Sequence, residues 1–370
     1  MLKSLKTAAE IGKFRLRMAM ALRDTPPRAL ASTDELAHLV ALQTAYWVQR
    51  PPMAGAAAEQ ALHKLNKASS SAFVFSVRGQ RVRLWQKPEL LFPADEEMAR
   101  HHEQQAFLRR AMLYQAFIAA VLRQNKVAYA IDFALDVNDM PEDSATLPIF
   151  SFQKMRGAHN LLLPDVDFFH SKWYRDDHDS LRYDEKTTSA CFVGSSTGAW
   201  LTEESIRECA TPRLRAAAYF HGNPTVIFRI ANAVQCRSEE AKAQLMAQPY
   251  FSDYVGWADQ LRHRFIISID GNGAACSRLV KGLCSNSALV KFESPYDLYY
   301  FAALIPNRDY LTVSCEADLE HIIACELQQP GRFSAVARSG QQFAEKYLTI
   351  KSVMAYTAAL LGAFAALPRT

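Results

Sequence analysis

Asp270, Gly271, Ser277 and Arg278 fall close together in the stretch 264–291, RFIISIDGNGAACSRLVKGLCSNSALVK. A glycine-rich turn that opens a helix presents free backbone N–H groups and the positive end of the helix dipole, and both favour a bound anion. A guanidinium in the helix's first turn adds a bidentate clamp for phosphate oxygens. These residue types in this order therefore read as a diphosphate-binding half-site. They also fit an ordinary βα connection with a surface arginine.

Two further groups have chemistry of their own. Asp139, in Asn138-Asp139-Met140-Pro141, follows an apolar strand-like run, and a carboxylate just past a buried strand can serve as a general base. It also fits a residue that only starts a turn before Pro141. Gly194-Ser195-Ser196-Thr197-Gly198 follows the apolar run SACFVG and is a second candidate nest for phosphate oxygens. Arg207, Arg213 and Arg215 come next on helix-like sequence. The cluster Asp176-Asp177-His178-Asp179 invites a metal, but consecutive loop residues point in different directions, which fits a solvated acidic loop. Trp173 and Tyr174 beside it have the faces to stack on a sugar or simply to pack.

These residues need strands and helices to hold them. Phe265–Ile269, the helix-compatible stretch Ala274–Cys284 and the apolar run Ala288–Phe292 predict a βαβ unit. Upstream, Ser32-Thr33-Asp34-Glu35 predicts the N-cap of a helix to about Gln49, stopped by Pro51-Pro52. Helices are expected over Ala54–Lys67 and Glu96–Gln124, a hairpin over Ala72–Trp85, and strands over Val127–Val137 and Leu147–Phe152. Downstream of Ser189–Gly194, strands are expected at Thr225–Ile230 and Tyr310–Val313. Helices follow at Ser238–Gln248, Asp318–Glu326, Gly331–Leu348 and Val353–Leu367.

The chain has 370 residues, 49% hydrophobic and 22% charged, enough for two domains with sizeable cores. A net charge of +4 argues against a dedicated nucleic-acid binder. Cys191, Cys209, Cys236, Cys276, Cys284, Cys315 and Cys325 are odd in number and form no CxxC, which suits reduced thiols in a cytoplasmic protein better than disulfides or zinc. The first 30 residues carry Lys3, Lys6, Lys13, Arg15, Arg17, Arg23 and Arg28 against Glu10 and Asp24. Charges interrupt them throughout, unlike a secretory signal. Such a basic helix could lie on an anionic inner-membrane surface. Its apolar residues fall in two stripes, which also fits packing on the protein body. No apolar run reaches the roughly 18 residues of a membrane span.

The order NDMP, IFSF, FVGSSTG, IDGNGAACSRLVKGLCSNSALVK, then a Tyr-rich segment and Pro306, resembles glycosyltransferase family 90 over roughly Val127–Leu348. That family includes lipopolysaccharide-modifying and capsule-associated transferases and protein O-glucosyl- and O-xylosyltransferases. The resemblance implies an α/β fold of GT-B type: two Rossmann-like domains facing across a cleft, with a C-terminal helix returning to the first. The first half mixes helices with a few strands and the second alternates strand and helix, which sets the boundary near 190: an acceptor-side domain with a helical extension at 1–190, a nucleotide-sugar-binding domain at 191–348 and the returning helix at 349–370. Asp139 of one half would then face Arg278 of the other.

The resemblance also implies inverting transfer from a UDP-sugar without a metal or other cofactor. Asp139 would be the base. Gly194, Ser195, Thr197 and Gly198 would contact the nucleotide, and Asp270, Gly271, Ser277 and Arg278 match the donor-site pattern. Ser285, Ser287 and Lys291 fall where relatives carry small residues and a basic strand end. Val193 departs from the family's large polar residue before the glycine turn, and Arg213 or Arg215 could substitute. The segment between Asn272 and Ser277 departs as well. The expected acceptor is a glycan or lipid-linked glycan such as a lipopolysaccharide core. A protein or soluble-sugar acceptor, or a non-catalytic nucleotide-sugar or glycan binder, are the other functions the sequence allows.

Overall fold

The computed structural model describes residues 2–24, 30–87, 97–170 and 179–370. Trp173, Tyr174, Asp176, Asp177 and His178 lie outside those residues. The chain forms two compact units, one from 1–174, 296–302 and 346–370, the other from 175–295 and 303–345.

In the first unit, α1 (Leu2–Asp24), α2 (Thr33–Gln49) and α3 (Gly55–Ala68) lead into the hairpin β1 (Ala72–Gly79) and β2 (Arg81–Leu84). After them come α4 (Glu97–Gln124), β3 (Tyr129–Asp136), β4 (Ile149–Ser151), β5 (Lys154–Met155), β6 (Leu161–Leu162) and α5 (Asp167–His170). The basic helix α1 buries Phe14, Met18 and Ala21, while Leu16 and Met20 stay exposed. Its Glu10 pairs with Arg109 of α4 at 2.5 Å. Helix α2 starts where the sequence predicts: Ser32 Oγ accepts from the Glu35 N–H at 3.2 Å, and Glu35 Oε2 accepts from the Ser32 N–H at 2.9 Å.

The sheet runs β2-β1-β3-β4-β6, with β1 antiparallel to β2 and β3 and the remaining pairs parallel. Phe73, Val74, Phe75 and Val77 of β1 are buried on both faces, so most of this strand is core. Phe75 stacks on Phe133 of β3 at 5.3 Å.

The second unit contains β7 (Thr187–Ser195), α6 (Glu203–Arg207), α7 (Pro212–Tyr219), β8 (Val226–Asn232), α8 (Glu239–Met246), α9 (Trp257–Gln260), β9 (His263–Ser268), α10 (Ser277–Cys284) and β10 (Ala288–Phe292). The chain then passes through β11 (Tyr296–Asp297), which belongs to the first unit and pairs there with β5, and returns with β12 (Leu311–Val313), α11 (Glu316–Gln328) and α12 (Ser334–Tyr347). The sheet is parallel throughout, in the order β12-β10-β9-β7-β8. Its strands are near-continuous apolar runs such as Phe265-Ile266-Ile267, the signature of strands covered on both faces. Buried Lys186 donates to both Asp179 oxygens at 2.9 and 2.8 Å, and Asp179 Oδ2 also accepts from the Asn286 N–H at 2.8 Å. These bonds tie the segment before β7 to the second unit.

The last helix, α13 (Ile350–Ala365), belongs to the first unit. Its Phe364 meets Phe133 at 6.2 Å and Phe150 at 5.1 Å, and its Tyr356 hydroxyl donates to the Leu162 carbonyl at 2.8 Å. Among the described residues no single helix is long and apolar enough to cross a membrane.

Candidate functional site

Numbered within the second unit, the strand order β8-β7-β9-β10-β12 is 2-1-3-4-5. The chain goes outward from β7 to β8 and then resumes on the other side of β7 with β9. The connections therefore part at the carboxyl ends of β7 and β9. In doubly wound sheets ligands bind at such a switch point. The two turns singled out in the sequence, Gly194–Gly198 and Asp270–Gly273, leave those two strand ends.

Arg213, on α7, joins them. Its Nη1 donates to the Ser195 carbonyl at 2.8 Å and to Thr197 Oγ1 at 2.6 Å. Its Nε donates to the Asp270 carbonyl at 3.1 Å and its Nη2 to the Ile269 carbonyl at 3.1 Å. The turns also touch directly. A Cβ on Gly271 would stand 2.2 Å from Thr197 Oγ1 and 2.9 Å from Arg213 Nη2, so only glycine fits. Gly198, at φ +133°, gives its N–H to Asn272 Oδ1 and Gln235 Oε1, both at 3.2 Å. Burial pushes the Arg213 guanidinium down to about 10, since desolvation disfavours its charge and Arg278 repels it. Arg215, the other candidate on α7, turns to Glu316 at 3.3 Å.

Helix α10 begins at Ser277, not at Ala274, because Cys276 is extended (φ −154°) and takes the N-cap position. Ser277 and Arg278 are thus the first two residues of the helix, and no side chain caps the N-terminal amides. The Arg278 guanidinium lies 4.3 Å from the Phe192 ring centroid and 5.2 Å from that of Trp257. Its Nη2 donates to the Val193 carbonyl at 2.5 Å and its Nη1 to Gln260 Oε1 at 2.9 Å. Burial lowers its pKa, and no carboxylate pairs with it among the described residues. Lys281, one turn on, stands 5.0 Å from the Trp257 ring.

Asp270 points its carboxylate at other side chains: Oδ1 accepts from buried Lys291 at 2.9 Å and Oδ2 from Ser294 at 2.5 Å. Lys291 therefore neutralises Asp270 at the strand ends. Ser285 and Ser287 sit at the opposite end of β10. Ser285 Oγ donates to the Gly282 carbonyl at 2.8 Å and Ser287 Oγ to the His263 carbonyl at 2.7 Å, so they shape the exit from α10.

Asp139 belongs to the first unit, on the turn after β3. Arg110 of α4 reaches its Oδ1 at 3.4 Å, the Val137 carbonyl at 2.8 Å and Asp167 at 3.6 Å. Gln153 Nε2 donates to the Asp139 carbonyl at 2.5 Å. Asp136, fully buried at the end of β3, accepts from the Asn138 and Glu142 N–H groups at 2.9 and 2.8 Å and so moulds the turn. The Asp139 side chain keeps 38% of its surface exposed, enough to meet a substrate proton. Asp165 completes this acidic set around Arg110, and burial plus the neighbouring Asp167 push its carboxyl up to about 7.

The family model for glycosyl transferase family 90 matches residues 95–370. The chain belongs to glycosyl transferase family 90. Comparison with curated proteins gave no match. The family match takes in the switch-point cluster and the Asp139 turn, and leaves out α1–α3 and the hairpin. Membership supports glycosyltransferase activity, which requires a sugar donor and an acceptor.

The second unit of this family-90 chain brings Gly194, Ser195, Thr197, Gly198, Arg213, Asp270, Gly271 and Arg278 to one pair of strand ends, with Ser277 beginning the adjoining helix. Three contributors escaped the sequence reading: Phe192 and Trp257, which flank Arg278, and Gln260, which orients it. Only position relative to the strands would have flagged Phe192, since it is two residues before Gly194. Nothing local marks Gln260.

Proposed function

We propose that the chain transfers a sugar from a UDP-sugar to a hydroxyl of a surface glycan such as a lipopolysaccharide core, with inversion and without a metal. In this reading the two units are the Rossmann-like domains of a GT-B enzyme, working in the cytoplasm and peripherally at the inner membrane through α1. The observation that carries it is Arg278: a desolvated cation with no carboxylate partner among the described residues, beside an uncapped helix N-terminus at a switch point. That arrangement stabilises an anion, and the leaving diphosphate gains charge as the glycosidic bond breaks.

An acceptor hydroxyl attacks the anomeric carbon while UDP departs from the opposite face, through an oxocarbenium-like transition state. Asp139 takes the hydroxyl proton, and the carboxylate is held toward the substrate by Arg110 and by the backbone bond from Gln153. Arg278 and the first amides of α10 meet the diphosphate. Arg213 keeps the turns in register so that the backbone groups around Gly271 hold their places.

The test is UDP release from a panel of UDP-sugars, with and without a lipid-linked glycan extract, followed by NMR assignment of the product anomer. Acceptor-dependent release with an inverted anomer supports the reading. Retention of the anomer, or nucleotide binding without release from any donor, overturns it.

A further inference from the structure

The hairpin outside the family match carries a surface to which the proposed catalytic steps assign no role. In the β1–β2 register Ser76 lies opposite Arg83 and Arg78 opposite Arg81, and on the other side Ser76 lies opposite Asp132. Directly opposed residues share a face of the sheet. Ser76, Arg78, Arg81, Arg83 and Asp132 therefore share one polar face of the sheet.

Two cavities open on this face. One, of about 430 Å³, is lined by Arg78, Arg81, Arg83 and Trp85. The other, of about 670 Å³, shares Arg78 and Trp85 and adds Glu59, Asp132, Phe133 and Arg369. Each is within the roughly 300–1,000 Å³ of small-molecule sites.

The side chains are held in place. Arg78 grips Asp132 bidentately at 3.0 and 2.7 Å, and Ser76 donates to the same carboxylate at 2.5 Å. The Trp85 indole N–H donates to Ser76 Oγ at 2.7 Å, and its ring packs on His63 at 4.5 Å between centroids. Four arginines thus face two carboxylates around a fixed indole, so the cavities carry excess positive charge. Arg81 and Arg83 are exposed and have no ion-pair partner among the described residues.

We infer that this face docks an anionic oligosaccharide bearing carboxylate or phosphate groups, the acidic part of the acceptor glycan; the inference rests on the acceptor being a surface glycan. Arg81 and Arg83 match carboxylate or phosphate oxygens in bidentate fashion. The Arg78–Asp132–Ser76 set offers both donors and acceptors to sugar hydroxyls, and Trp85 offers an apolar ring to a pyranose face. Concavity favours a glycan over a membrane surface, which needs a convex basic face with protruding apolar side chains. Along β3 the four steps from Asp132 to Asp136 cover about 13 Å, so the docked part lies away from the hydroxyl served by Asp139.

The test is direct binding by calorimetry to the full chain, with no donor present. The probes are a galacturonate hexasaccharide, a phosphomannan fragment, neutral maltohexaose and phosphatidylglycerol vesicles. At least one charged fragment should bind, with affinity falling as salt rises, and Arg81→Ser/Arg83→Ser should weaken it about tenfold. Trp85→Leu should weaken it as well. UDP affinity and the melting temperature of the double variant should stay unchanged, since both arginines are exposed.

Equal binding of maltohexaose, no binding of either charged fragment, or loss of vesicle binding alone in the double variant would each overturn the inference. Because the readout is binding without turnover, failure of the transferase reading would show separately, as absent UDP release alongside intact fragment binding.

Discussion

Arg213 donates to Thr197 Oγ1 at 2.6 Å, and with a further bond to the Asp270 carbonyl this helix residue ties together two turns that leave different strands. The same guanidinium takes the carbonyls of Ser195, Ile269 and Asp270. With so many donors spent on the protein, Arg213 works as the brace of the two turns at the proposed anion site. Arg278, which uses its five N–H donors for two hydrogen bonds among the described residues, keeps capacity for a ligand.

Gly271→Ala should damage this brace. The new methyl would stand 2.2 Å from Thr197 Oγ1, and backbone or side chain must move. Overpacking of this kind costs about 1–3 kcal/mol. The variant should melt earlier and bind UDP more weakly by calorimetry. Removing the obstructing hydroxyl in a Thr197→Ala/Gly271→Ala double variant should recover part of the melting temperature. Strict additivity of the two losses would refute the contact as their cause.

Arg278→Ala should weaken UDP binding and turnover together, with a barrier increase on the order of 3 kcal/mol, typical of losing one oxyanion donor. Arg278→Lys should restore little. The flat guanidinium lies between the rings of Phe192 and Trp257 while reaching Gln260 and Val193, and a single ammonium cannot make that set of contacts. Full activity in the lysine variant would show that charge alone suffices.

Much of this site was legible because parallel strands buried on both faces read as uninterrupted apolar runs, and glycine turns mark where they end. That logic located both ends of the switch point, at Gly194 and Gly271. It could not locate Arg213's partners, which depend on how α7 lies across the strand ends. Nor could it find Gln260, 18 positions from Arg278, since that contact exists only once α9 and α10 are folded. Ala274-Ala275 are helix-compatible and place the start of α10 three residues early, whereas Cys276 is extended and sets it at Ser277. The docking face around Trp85 was visible only as a hairpin. Its charge became a surface feature once the strand register put Arg78, Arg81 and Arg83 on one side.

Transfer should survive EDTA. In the proposed mechanism the leaving diphosphate is met by Arg278 and the first amides of α10, so no divalent cation is required at that step. Activity assayed after dialysis against chelator should match the untreated enzyme. Loss of turnover with recovery on adding manganese would replace that part of the mechanism.

The acidic set around Arg110 should give the fold a pH dependence. Burial and Asp167 raise the Asp165 carboxyl to about 7, against about 4 in an unfolded chain. Between those values the folded state holds a proton that the unfolded state releases. Stability from this group should therefore fall as pH rises from about 4 to about 7 and level off above. Thermal melts of the wild type and Asp165→Asn across that window should diverge as pH rises, with the asparagine variant the flatter of the two. Parallel curves would mean that Asp165 is ionised throughout.

Asp139→Asn separates chemistry from binding. The amide keeps the shape of the side chain, and the Gln153 contact, made to the backbone carbonyl, is untouched. What disappears is the basic carboxylate, so the acceptor hydroxyl keeps its proton and attack on the anomeric carbon stalls. General-base catalysis contributes about 10²–10⁴-fold, and transfer should fall by at least that factor. The groups proposed to hold the nucleotide lie in the second unit, so calorimetric UDP affinity should be close to that of the wild type. Asp136→Asn offers a contrast: it leaves Asp139 chemically intact but weakens the bonds that shape its turn, through Asn138 and Glu142. Its loss of rate should be smaller than that of Asp139→Asn, and a rate equal to that of Asp139→Asn would locate the base elsewhere.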